Sequence, residues 1–192
     1  MAPSGAASVR PSSLVALWLT FPAILRNPLL ALSRIPWESA DLVAPLVLCV
    51  SAGIVSHVGV VLGALLFADV EALLGPHFAE MGVSPYAGAL LGLTAVPLTL
   101  TLQLFVTSAM AHGLLGLTGG ARRPYAATFR VFAYAGVPSL LGLVPVIGGA
   151  LATLMTLLML LLGLRVAHGA TTGQAFAGAA PAFVGVFLGA WP

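Results

Sequence analysis

A stretch of 34 residues without a charged side chain runs from residue 131 to residue 164, between Arg130 and Arg165. It is long enough for two membrane crossings of about 17 to 20 residues each. Pro145, Gly148 and Gly149 interrupt the stretch near its middle, which predicts a turn. The stretch therefore predicts a membrane hairpin that begins and ends on the same side of the membrane.

The composition points to an integral membrane protein. Hydrophobic residues make up 60% of the 192 residues and charged residues 6%, whereas soluble domains have about 45–50% and 25%. All seven basic residues are arginines, and the formal net charge is only +2. We therefore assign the arginines to a membrane surface and predict no nucleic-acid partner. The single cysteine, Cys49, cannot form an intramolecular disulfide.

The chain divides into a short N-terminal tail and one domain. Residues 1–13 are rich in Ser, Ala, Gly and Pro, and we predict that they are disordered. Residues 14–192 are predicted to form a single transmembrane domain. Between residues 14 and 32, apolar residues recur at helical spacing, which predicts an amphipathic helix lying in the membrane interface. Its polar face carries Arg26, Asn27, Ser33 and Arg34.

A cleaved signal peptide is the alternative interpretation of this segment, since Arg10 precedes an apolar stretch. However, Pro22, Arg26 and Pro28 interrupt that stretch, and no clear small-residue cleavage site follows it. The pattern favours the uncleaved interfacial helix.

Five apolar stretches are predicted to be spans. The first follows a polar group ending at Asp41 that is suited to capping a helix. The second is longer than one crossing needs, so it is expected to tilt, to kink at Pro97 or to begin at the membrane interface. The fifth is short and contains Pro181. The predicted fold is an all-α integral membrane protein: a five-span helical bundle with an N-terminal interfacial amphipathic helix. The spans are predicted at about residues 42–67, 87–117, 126–144, 149–167 and 175–188.

The arginines also predict the orientation. With a cytoplasmic N-terminus, five crossings place every arginine on the cytoplasmic side of a bacterial-type inner membrane. The C-terminus and the loop at residues 69–86 then lie outside. That loop carries Asp69, Glu71, His77 and Glu80.

Asp41 has two possible roles at the cytoplasmic end of span 1. It could cap the helix with its charge in water. It could instead gather arginines, with Arg165 as the preferred partner and Arg130 as the next choice. Arg122 and Arg123 are expected at the same surface.

A second group of polar residues lies inside the spans. His57, Gln103 and His112 could line a proton or ion path, but such paths normally use several buried acids or histidines. Interhelical hydrogen bonding by the polar residues of the spans is the favoured interpretation. Thr99, Gln103 and Thr107 share one stripe of the second span.

The sequence contains no motif for catalysis. It has no P-loop, no GxSxG elbow and no pair of carboxylates within a span. The acidic residues of the 69–86 loop lack the spacing of a known metal site. We therefore predict neither a catalytic residue nor a cofactor or metal site.

Three sequence stretches resemble the Yip1-domain family of membrane proteins, in its small prokaryotic form. They are Asp41-Leu42-Val43-Ala44-Pro45-Leu46, the stretch from Phe129 to Pro138, and the stretch from Gly163 to His168. The resemblance adds Pro45, Tyr134, Pro138 and His168 to the candidate residues. It also implies five spans with a cytoplasmic N-terminus. Ala44 stands where the family usually has glycine, and the long N-terminal region of eukaryotic members is missing.

Three functions remain open at this stage. The resemblance implies a non-enzymatic membrane-organising, adaptor or trafficking scaffold. A small transporter or channel would use the polar path above. A lipid-interacting protein would use the interfacial helix and the arginines to bind anionic headgroups. Glycine pairs such as Gly59 and Gly63 permit close helix contacts, with a membrane-protein partner or in a homo-oligomer.

Overall fold

The computed structural model describes residues 27–67, 84–144 and 147–187, together with Pro22, Ile24, Arg26 and Gly82. The described residues are 82% helical and contain no strand. The predicted all-α class is therefore confirmed. In order, the elements are α1 (Pro28–Ser33), α2 (Val43–Phe67), α3 (Pro85–Leu117), α4 (Tyr125–Ala135), the 3₁₀ helix η1 (Val137–Leu143), α5 (Gly148–His168) and α6 (Thr172–Phe187).

Four stretches of the described chain are long and apolar enough to cross a membrane. They are Val43–Gly63, Leu90–Leu117, Tyr125–Leu143 and Gly148–His168. They agree with the first four predicted spans, so the prediction of a helical membrane bundle is confirmed. Helix α6 has 16 described residues, slightly fewer than the 17 or so that a crossing needs. Residue 188, where the fifth span was predicted to end, lies outside the described residues, and the fifth crossing stays a prediction.

The centre of the bundle is the span formed by α4 and η1. It contacts α2, α3 and α5, while α6 packs against α3 and α5. In an apolar stretch of 18 residues taken from each span, two thirds of the central span is buried, compared with 6% of α3. Helix α3 therefore leaves most of its surface to the membrane. It buries one stripe at helical spacing, which consists of Leu104, Ser108, Ala111 and Leu115.

The central span is broken, although the sequence predicted one helix at residues 126–144. The α-helix ends at Ala135, and the chain continues as a 3₁₀ helix from Val137. Pro138 accounts for the break because it has no N–H and its ring clashes with the carbonyl four residues earlier. Gly136 lies at the same point, and a Cβ there would come within 2.7 Å of the Cys49 Sγ.

Helix α3 has 33 residues, about 50 Å at 1.5 Å per residue, and it includes Pro97. Thr99 and Thr107 are not among the span residues that bond between helices. Thr99 donates to Ala95 O at 3.1 Å, and Thr107 donates to Gln103 O at 2.6 Å, both within α3. A hydroxyl in an apolar span is satisfied by its own helix when no other acceptor is near.

The N-terminal segment shows the predicted amphipathic phase where it is described. Helix α1 begins at Pro28, and the side chain of Asn27 accepts the Leu30 N–H at 3.0 Å as its cap. Leu32 is fully buried, whereas Arg26 and Ser33 are exposed. Helix α1 packs against α5. Residues 14–21 lie outside the described residues, and the position of the segment in the membrane interface stays a prediction.

Candidate functional site

Three loops meet at one end of the bundle, which we call the basic end. It consists of residues 34–42, 118–124 and 165–171. Helices α3 and α5 stop there abruptly because Gly119 and Gly169 adopt left-handed backbone angles, with φ of 71° and 62°. The chain can therefore turn back within a few residues, which brings the loops into contact.

Helix α6 begins at this end with a reciprocal cap. Thr171 N–H donates to Gln174 Oε1 at 2.9 Å, and Gln174 N–H donates to Thr171 Oγ1 at 3.3 Å. The Gln174 amide nitrogen also donates to Thr118 O at 2.8 Å. This contact fixes the start of α6 against the end of α3.

Arg130 connects the central span to the N-terminal segment. Its side chain extends from α4 and is only 3% exposed. Nη1 donates to Pro36 O at 2.7 Å, and Nη2 donates to the backbone carbonyl of Asp41. Arg130 thus binds both ends of the linker that leads from α1 to α2.

The Asp41 carboxylate acts as a helix cap. Its Oδ1 accepts the Val43 N–H at 2.9 Å and lies 3.5 Å from the Ala44 N. Arg130 contacts Asp41 through the backbone carbonyl and not through the carboxylate. Arg165 is exposed in the last turn of α5 and forms no ion pair with Asp41. Of the two roles that the sequence left open, the structure favours the cap.

The other candidates from the family motifs occupy buried positions. Pro45 lies in the first turn of α2, where its missing N–H costs no helical hydrogen bond. Tyr134 is 9% exposed, one turn after Arg130, and lies within electrostatic reach of both Arg130 and Asp41. Pro138 lies in the break of the central span.

A chain of hydrogen bonds connects three helices beside the loop at residues 118–124. His112 Nδ1 lies 2.8 Å from Thr128 Oγ1, which lies 2.9 Å from His168 Nε2. His168 Nδ1 accepts the backbone N–H of Arg123 at 3.2 Å. Thr128 is fully buried and His168 is 2% exposed.

The backbone N–H of Arg123 determines which atom donates at each step of this hydrogen-bond chain. An amide N–H can only donate, so His168 Nδ1 is an acceptor, and neutral His168 carries its proton on Nε2. His168 therefore donates to Thr128, and the Thr128 hydroxyl donates to His112 Nδ1. Every polar atom at the three junctions has a partner, so the chain holds α3, α4 and α5 in a fixed register.

The sequence did not single out Thr128, which is the middle of this chain. The available signal was a polar side chain in an apolar span, one turn from Tyr125. Tyr125 makes a second junction with α3, because its hydroxyl lies 2.8 Å from Ser108 Oγ. Ser108 and His112 of α3 thus both form hydrogen bonds to a neighbouring helix.

Most arginines at the basic end have no carboxylate partner. Among the described residues the one ion pair joins Arg123 and Glu38 at 3.6 Å, with Glu38 87% exposed. Asp41 is the second described acid, and its carboxylate serves as a cap. The guanidinium groups of Arg34, Arg122 and Arg165 belong to exposed residues outside any ion pair in the described chain.

The three residues of the alternative polar path lie apart. Gln103 lines a cavity of about 30 Å³ at the break in the central span, but neither His57 nor His112 lines it. His57 lies on α2 against Gly92 of α3. His112 belongs to the hydrogen-bond chain at the basic end. In the part of the chain that the structure describes, no group of three His, Cys, Asp or Glu side chains could hold a metal ion. The 69–80 acidic segment falls outside that part.

Fold and site together define a polytopic helical membrane protein with a broken central helix and an arginine-bearing end. A family model for the Yip1 domain matches residues 23–191. The chain therefore belongs to the Yip1-domain family, which confirms the resemblance seen in the sequence. The family is not known for enzymatic activity. Searches of curated proteins and of solved structures found no match.

Proposed function

We propose that this Yip1-domain protein is a non-enzymatic membrane-organising protein that gathers anionic lipid headgroups at its basic end. The observation that carries the proposal is the excess of exposed arginines over carboxylates there. Each exposed guanidinium can donate two parallel hydrogen bonds to a phosphate. A lipid phosphate supplies the anion that the described part of the chain does not provide at this end.

The rigidity of the basic end supports this role. Arg130 ties the α1–α2 linker to the central span, and the His112–Thr128–His168 chain ties α3, α4 and α5 together. Exposed arginines on such a base lose less conformational freedom on binding than arginines on a flexible tail. The membrane-organising role thus rests on geometry as well as on charge.

The orientation belongs to the proposal, with the basic end and the N-terminus in the cytoplasm. Reporter fusions after Gly120 and Gly173 are expected to report the cytoplasm, because arginine-bearing loops stay inside. Fusions after Glu80 and at the C-terminus are expected to report the exterior. A cytoplasmic signal at the C-terminus would exclude the five-span arrangement.

Lipid selectivity tests the function directly. In nanodiscs of mixed composition, the purified protein is expected to enrich phosphatidylglycerol over phosphatidylcholine. The double variant Arg122→Gln/Arg165→Gln removes two charges worth about 1 kcal/mol each near an anionic surface. The enrichment should then fall, with the affinity for phosphatidylglycerol weakened roughly 30-fold. Native mass spectrometry of the released particles measures both quantities.

A charge-balanced variant is the matched control. Glu38→Gln/Arg123→Gln removes one positive and one negative charge that already pair with each other. It should leave the lipid preference nearly unchanged. Equal binding of the two lipids by the native protein would exclude the proposal. A protein partner that co-purifies through these same arginines would favour the adaptor role of the family instead.

A further inference from the structure

The break in the central span contains a cavity that the proposed lipid role does not use. The cavity measures about 30 Å³ and lies where α2, α3, α5 and the α4–η1 junction meet. Gln103, at its wall, stands near the middle of the Leu90–Leu117 span. The cavity therefore lies close to the membrane centre. Its lining consists of Cys49, Gly53, Leu100, Gln103, Leu104, Phe132, Gly136, Ser139 and Thr156.

One buried hydroxyl in the cavity wall has no hydrogen-bond partner in the described structure. Ser139 is 9% exposed, and its Oγ forms no bond with the protein. The backbone of Ser139 is satisfied, because its carbonyl accepts from Ser56 Oγ at 2.9 Å and its N–H donates to Gly136 O at 3.1 Å. The hydroxyl is thus the part of Ser139 that lacks a partner. An unpaired hydroxyl is costly in a membrane interior, where bulk water is absent.

We propose that this cavity is a binding site for one or two water molecules, held by Ser139 together with Gln103 and Thr156. A cavity holds water when it has at least about 10–15 Å³ of room and two to four polar partners. The volume meets the first condition, and the two hydroxyls with the Gln103 amide meet the second. The remaining lining is apolar and carries no charge, so a neutral molecule as small as water fits and an ion does not.

The water completes the hydrogen bonding at a point where the helix cannot do so itself. The 3₁₀ turn and Pro138 interrupt the regular backbone bonds of the central span. Buried water commonly satisfies polar groups that such breaks leave over. Water bound at this site therefore stabilises the break in the central span of the native bundle.

Water-edited solid-state NMR of the full chain in lipid bilayers tests this assignment. The amides of Gly136 and Ser139 are expected to gain magnetisation from water faster than the amide of Leu160. Leu160 is a suitable reference because it is fully buried among apolar neighbours. The double variant Ser139→Ala/Thr156→Val should bring the Gly136 rate down to that of Leu160.

Thermal unfolding in detergent gives an independent measurement. If water binds Ser139, removing its hydroxyl loses a hydrogen bond, and Ser139→Ala should lower the midpoint by about 2–4 °C. In an empty cavity the same change would remove an unpaired polar group and raise the midpoint. Ser51→Ala is the matched control, since Ser51 donates within α2 to Leu48 O and does not line the cavity. Water transfer to Gly136 and Ser139 as slow as to Leu160 would overturn the proposal, whatever the stability of the variants.

Discussion

Replacing Arg130 by methionine is expected to lower the thermal unfolding midpoint in detergent by roughly 6–12 °C. The guanidinium makes two hydrogen bonds to backbone carbonyls, those of Pro36 and Asp41. Bonds that involve a charged donor contribute about 1.5–3 kcal/mol each, so their loss costs at least about 3 kcal/mol. In a protein of this size, each kcal/mol shifts the midpoint by about 2–4 °C. Methionine retains much of the side-chain volume, so the loss reflects the bonds more than an empty space.

Arg165→Met is the control because it makes the same chemical change at an exposed position. A surface change of this kind stays within about 0.5 kcal/mol. Arg130→Lys should fall between the two, since an ammonium keeps the charge but lacks the flat two-pronged geometry of the guanidinium. If Arg130→Met and Arg165→Met lowered the midpoint equally, the link between α4 and the α1–α2 linker would not support the fold.

The contrast between these two arginines shows what charge patterns reveal. The distribution of arginines along the chain predicted that Arg122, Arg123, Arg130 and Arg165 share one surface, and all four lie at or beside the basic end. The pattern could not separate the buried Arg130 from the exposed Arg165. The prediction of a partner for Asp41 assumed that an arginine guanidinium pairs with a carboxylate. The partners of Arg130 are carbonyls, which every residue carries, so no residue type in the sequence marks them.

The spans were predictable for a related physical reason. A membrane crossing depends on the length of an apolar run, and length can be counted in the sequence. The break at Gly136 depends on where Pro138 places its ring and on the approach of Cys49. A kink at Pro97 was one of three alternatives for the long second span, and α3 continues through Pro97 as one α-helix. A proline in a span is thus a local signal whose outcome the surrounding packing decides.

The hydrogen-bond chain at the basic end could not be predicted from the sequence, because it depends on how three helices pack together. His112 and His168 were both noted, but for different reasons and in different groups. Thr128 joins them only because α4 lies between α3 and α5. Sequence spacing relates residues along one helix. It carries no information about which helix lies opposite.

Gly148→Ala is expected to destabilise the hairpin strongly, whereas Gly149→Ala next to it should not. A Cβ on Gly148 would lie 2.1 Å from the backbone oxygen of Leu141. A backbone atom cannot rotate away as a side chain can, so the start of α5 would have to move away from η1. Around Gly149 nothing lies within 4 Å of the added carbon. The substitution is the same at both positions, which therefore differ mainly in the space available for a Cβ.

This pair separates close packing from intrinsic helix preference. Both glycines begin α5, and neither has a left-handed φ, so alanine is allowed by backbone geometry at each. Alanine favours a helix over glycine by up to about 1 kcal/mol, and Gly149→Ala should be neutral or slightly stabilising. At Gly148 the clash outweighs that gain, since overpacking typically costs about 1–3 kcal/mol. Thermal unfolding should therefore place the Gly148→Ala midpoint roughly 2–12 °C below the native one. Equal midpoints for the two variants would mean that the turn between η1 and α5 is loose enough to absorb a methyl group.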